Sequence, residues 1–176
     1  MMNRFSLNPF FSKFFVVSFV LTVAWFFFMR YEIHPLTSEE IVRFEFAGTP
    51  EQAEKIVSEW SLKGWVPLAK HSIYLDFIFL FLYTSCLALG SLTFPSLTGK
   101  ASLMNWGMRF YRLSLYAGLA DFMENLSLLE ILYGEQGTFF PGVAWIMALT
   151  KFSIIILVLL FLFRCIIQWA VSRING

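Results

Sequence analysis

Asp121, Glu124 and Asn125 lie within an otherwise apolar stretch, and Lys151 lies within another. Positions i, i+3 and i+4 fall on one face of a helix, so the two carboxyls and the amide form one polar stripe, which Gly118 and Ser114 extend. An acid at the centre of a bilayer costs about 2.5–3.5 kcal/mol on insertion scales, so these groups need partners. Counting about 1.5 Å per residue from the outer helix ends sets Glu124, Lys151 and Tyr83 at one depth. Asp76, seven residues before Tyr83, shares its face nearer the outer surface.

Two kinds of chemistry suit this set. In the first, Lys151 balances one carboxylate and the other carboxyl stays protonatable in an outward-facing site. That site would relay protons, bind an ion or hold the polar head of an amphiphile, with Asp121, Glu124, Asn125, Lys151, Tyr83 and Asp76 as its residues. In the second, Asp121, Glu124, Asn125 and Lys151 join helices through a hydrogen-bonded network and do nothing else. One Glu–Lys pair suffices as a join and the second carboxylate exceeds it, which favours a site. His34 and His71 offer imidazoles near Asp76, but they lack a short-range ligand motif, so no metal is expected. No GxSxG, CxxC or cofactor motif is present, which leaves any cofactor unknown and ranks a membrane-embedded enzyme last.

The elements that must position these residues are membrane helices. A chain of 176 residues with 58% hydrophobic and only 14% charged residues departs far from soluble composition. Apolar stretches at 14–29, 73–94, 110–133 and 143–169 each meet or approach the roughly 20 residues of a transmembrane helix. The expected fold is an all-α membrane protein, a four-transmembrane-helix bundle with a small external strand-plus-helix segment between helices 1 and 2. The divisions are 1–30 (N-terminus and first crossing, an uncleaved anchor), 31–72 (external segment) and 73–94 (second crossing). They continue with 95–109 (cytoplasmic loop), 110–133 (third crossing), 134–142 (external loop), 143–170 (fourth crossing) and 171–176 (C-terminus). A short interfacial helix is expected within 95–107.

Basic residues give direction. Arg4, Lys13, Lys100, Arg109, Arg112, Arg164 and Arg173 gather on one side, whereas Glu130, Glu135 and the acid-rich 31–72 segment lie on the other. Both termini are therefore expected to be cytoplasmic. The net charge of +1 and the absence of a basic run exclude nucleic acid as a partner. Cys86 and Cys165 differ in depth by more than about 10 Å on the same count, too far for a disulfide.

In the external segment Val42, Phe44 and Phe46 alternate with Arg43 and Glu45, the pattern of a half-buried strand. Thr49-Pro50-Glu51-Gln52 then starts a helix with an N-cap hydroxyl and a proline at its first position. Its apolar residues Ala53, Ile56, Val57 and Trp60 share one face, and Gly64 ends it. Some 40 residues cannot bury enough surface alone, so the Trp60 face is expected to cap the bundle, with self-association or a protein partner as alternatives. The strand edge would also accept a partner strand.

The run Phe44-Glu45-Phe46-Ala47-Gly48-Thr49, Trp60, Leu75-Asp76-Phe77, Tyr83, Gly118-Leu119-Ala120-Asp121 and Glu124-Asn125 resembles a family of uncharacterised bacterial four-helix integral membrane proteins. The resemblance covers about residues 41–126. It implies a bacterial inner (plasma) membrane and carries no activity. The leading functional expectation is a protein that binds or helps move a small molecule or amphiphile in the lipid bilayer. An accessory or scaffold subunit comes second.

Overall fold

The computed structural model describes residues 9–134 and 139–174. Arg4 and Glu135 lie outside them. Among the described residues the chain is entirely helical: α1 (Pro9–Glu32), α2 (Ser38–Glu45), α3 (Pro50–Leu62), α4 (Val66–Leu97), α5 (Ala101–Leu132) and α6 (Phe139–Ile174). Three of them, α1 from Ser12 onward, α4 and α6, are long and apolar enough to cross a membrane. Their lipid-type surfaces, such as Phe27, Phe81 and Leu160, stand exposed as a membrane protein requires.

The expected strand at 42–46 is absent, and α2 takes its place. Thr37 caps this helix, its hydroxyl accepting from the backbone N–H of Glu40 at 3.3 Å. Glu39 and Glu40 occupy the first turn, where the helix dipole favours acids. The sequence Thr37-Ser38-Glu39-Glu40 thus has the capping-box pattern, of which the Thr37 half forms, and it outweighs the alternation beyond it. With no strand among the described residues, the proposed strand edge for a partner also falls. The second expected helix forms as α3, with Thr49 as N-cap, Pro50 at N1 and Gly64 in the left-handed conformation just past its end.

Trp60 is completely buried, but within the chain itself. Its ring packs on Phe44 at 5.0 Å between centroids, and both join a core with Ile73 of α4, Leu128 of α5 and Ala144 of α6. A buried aromatic of this size is worth several kcal/mol, which explains how a short two-helix segment holds its shape on the helix ends.

The long helices run antiparallel in succession. Tyr74 meets Tyr133, Asp76 meets Asn125 and Tyr83 meets Asp121, so positions rise along α4 as they fall along α5. A Cβ at Gly118 would sit 2.5 Å from the Thr84 hydroxyl, so only glycine permits this approach of α5 to α4. In place of a loop over 95–109 with a separate interfacial helix, α4 runs to Leu97 and α5 begins at Ala101. Lys13, Lys100 and Arg173 fall toward one end of this array and Glu130 toward the other. The remaining long helix, α1, packs on α4 and forms no packed face with α6.

Candidate functional site

The polar stripe of α5 meets Lys151 of α6. Its Nζ donates to Asp121 Oδ1 at 2.8 Å and to Glu124 Oε1 at 2.9 Å. Tyr83 of α4 donates its hydroxyl to the other Asp121 oxygen at 2.9 Å. One turn outward, Asn125 Nδ2 donates to Asp76 Oδ2 at 2.6 Å. Asp121, Glu124 and Lys151 are 2%, 0% and 6% exposed, so three helices are joined by one network out of reach of bulk water. All six residues singled out by spacing and depth are brought together here. His34 and His71 are not: His71 faces Glu32 at 3.8 Å, and neither histidine bonds to the network. No group of three or more metal-type ligands forms among the described residues.

The network has a seventh member that the spacing of the sequence does not reveal. Glu45, the last residue of α2, reaches down to place Oε1 3.7 Å from Lys151 Nζ. On a strand Glu45 would point away from Phe44 and Phe46. On a helix it shares a face with Ile41 and Phe44, which carries it inward. Recognising the Thr37–Glu40 capping box was the signal that would have found it. Burial pushes the Glu45 carboxyl above its ordinary range, against the opposing pull of Lys151. Glu45 Oε2 and Glu124 Oε2 are both buried without a hydrogen-bond partner among the described residues.

The network is therefore rich in acid. Lys151 is its single cation, facing Glu45, Asp121 and Glu124, with Asp76 close behind. Its ammonium has three donors, two of which are engaged at hydrogen-bond length while the third side is turned to Glu45.

One wall of this network opens into a cleft of about 720 Å³, bounded by α1, α4, α6 and the length of α2. Asp76, Tyr83, Glu45, Asp121 and Lys151 form its polar patch, and Arg30 and Ser38 stand at its outer rim. Elsewhere the lining is apolar, with Phe15, Phe19, Phe26, Leu159, Phe163 and Ile166 among it. The cleft exists because α1 packs chiefly on α4, leaving the space toward α6 unfilled. Its volume lies within the roughly 300–1,000 Å³ of small-molecule sites, which are mostly apolar with a few placed polar groups.

Fold and site together define a helical membrane protein with a buried, acid-rich lysine network on the wall of a lateral apolar cleft. Comparison with protein-family models, curated proteins and solved structures finds no match.

Proposed function

We propose that this protein binds an amphiphile from the bilayer, holding the polar head at the network and the tail in the cleft beside α1 and α6. The observation that carries this reading is the joining of a long Phe-lined cleft to a polar patch at one end, the shape and polarity of an amphiphile in negative. A structural join of helices needs no such opening. Tyr83, Asp121 and Lys151 bond one another and also border the cleft, so the network would form the polar wall beside the head as well as fasten the helices.

The reading places α5 in the membrane as a fourth crossing. Its 32 residues span about 48 Å at about 1.5 Å each, and it lies between two apolar helices along its length. Asp121, Glu124, Arg109 and Arg112 lower its hydropathy, but the two acids face protein and the arginines lie in its first half, from where their long side chains reach toward the inner interface. With four crossings and the basic residues on one side, both termini are cytoplasmic and the α2–α3 segment is external, in a bacterial inner membrane. Reporter fusions at the two termini that are active on opposite sides would overturn this topology.

The binding reading is tested by purifying the protein in mild detergent and analysing retained lipid by native mass spectrometry. Retained amphiphile is expected, with loss on substituting Phe163→Trp or Phe19→Trp to fill the cleft. Retention unaffected by both substitutions would place the amphiphile elsewhere and defeat the reading.

A further inference from the structure

Two charged side chains on the cleft have no opposite charge within ion-pair distance among the described residues. Arg30, at the end of α1, donates only to the Ser38 hydroxyl, at 2.8 Å, and forms no ion pair. Asp76, on α4, accepts from Asn125 through one oxygen and pairs with no cation. Both line the cleft, and neither is fully buried.

The register of α1 against α4, in which the Trp25 indole also donates to the Leu75 carbonyl at 3.1 Å, sets Asp76 about one helical turn inward of Arg30. Glu32 meets His71 at one end of this pairing, and Phe26 meets Phe79 further in. Arg30 falls between the first pair of positions on α1, and Asp76 falls between the second pair on α4. Opposite charges thus stand on facing parts of one cleft, at the end of the helices where a head group would lie. They are not bonded to each other.

Lys151 cannot serve a ligand in the same way, because Asp121 and Glu124 take its hydrogen bonds and Glu45 faces its remaining side. The cleft therefore offers one free guanidinium and, beside it, a free carboxylate oxygen backed by further acid. Guanidinium recognises phosphate through paired hydrogen bonds, and a carboxylate recognises an ammonium. We propose that the occupant is a zwitterionic phospholipid, its phosphate on Arg30 and its primary ammonium on Asp76, with an acyl tail running inward between α1 and α6. Along α1 the cleft extends from Arg30 to Phe15, about 22 Å at about 1.5 Å per residue, sufficient for a tail reaching past the middle of the roughly 30 Å hydrocarbon layer.

This inference rests on the amphiphile reading, and its test separates the two. The full chain is placed in nanodiscs containing equal parts of phosphatidylethanolamine, its N-acetylated form and phosphatidylglycerol, all with the same tails. Bound lipid is then counted by native mass spectrometry. Phosphatidylethanolamine is expected to be enriched about tenfold over the other two, the effect of one charge-assisted hydrogen bond. Asp76→Asn should abolish that preference while Arg30→Gln lowers retention of all three lipids. The wild-type ratio alone decides if either variant fails to fold.

Equal retention of the three lipids would overturn the ammonium contact and leave the amphiphile reading standing. Retention of none would overturn both. Displacement of bound lipid by free O-phosphoethanolamine would show that the head alone is the ligand and overturn a lipid as its source.

Discussion

Two clusters of cation and carboxylate lie on opposite sides of α2 and have opposite consequences. On the outer face of α2 and α3, Arg43 bonds Glu59 and lies 3.5 Å from Glu40, with water around all three. Beneath α2, Lys151 bonds Asp121 and Glu124 with almost no water in reach. The pairs look alike as geometry. In water the Coulomb term is small and screened, whereas in a dry interior both the attraction and the cost of an unpaired charge grow. The outer cluster therefore overlies a surface already held by Trp60 and Phe44, touching it through Glu40, which accepts from the Trp60 indole at 3.3 Å. The inner cluster decides whether α4, α5 and α6 can pack together.

Removing the cation from each cluster gives the widest contrast. Lys151→Met should destabilise the protein by about 3–5 kcal/mol, because Asp121 and Glu124 are left buried without their cation. Chemical unfolding in detergent measures this, and a loss close to that of a surface variant would equate the two clusters. Asp121→Asn, which keeps one oxygen to accept from Lys151 and can donate its amide N–H to the Tyr83 hydroxyl oxygen, should cost less.

The next contrast is in pH. The folded pKa of Glu45 is raised, so the folded state holds its proton more tightly than the unfolded state does. Its contribution to stability is whole below the ordinary value of 4.5 and diminishes as pH rises from there through the raised folded value. Glu45→Gln, with Lys151, Asp121 and Glu124 left in place, should flatten the decline in stability over that window. An unchanged slope in the variant would remove Glu45 from the network. At the surface the sign reverses, since Arg43 beside Glu59 holds that carboxyl below its usual range, so its contribution is lost as pH falls.

The smallest effect belongs to Arg43→Ala. Its midpoint of thermal unfolding should fall by no more than about 2 °C and converge on the wild type in high salt. A larger, salt-insensitive drop would make the outer cluster a structural element in its own right.

Much of the inner cluster was legible before any fold was known. Acids at i, i+3 and i+4 in an apolar run must share a face and must find a partner, and a lysine at matching depth was the available cation. The α3 helix was equally plain, since its cap, proline and apolar stripe agree with one another. The residues around Phe44 were not, because five alternating positions fit a strand while a capping box four residues earlier fits a helix. Periodicity over so short a run does not choose between them.

The sequence by itself determined three things: an apolar solvent, helices long enough to cross it, and the identity of the buried charges that would need each other. These follow from local composition and from helical periodicity, which act over one turn or one helix. Only the tertiary structure decided that Glu45 joins the network, that Trp60 is sealed within the chain, and that α1 stands away from α6 to open a cleft with Arg30 and Asp76 at its mouth. Those depend on how helices distant in sequence lean on one another, and packing of that kind is set by the shapes of all the faces at once.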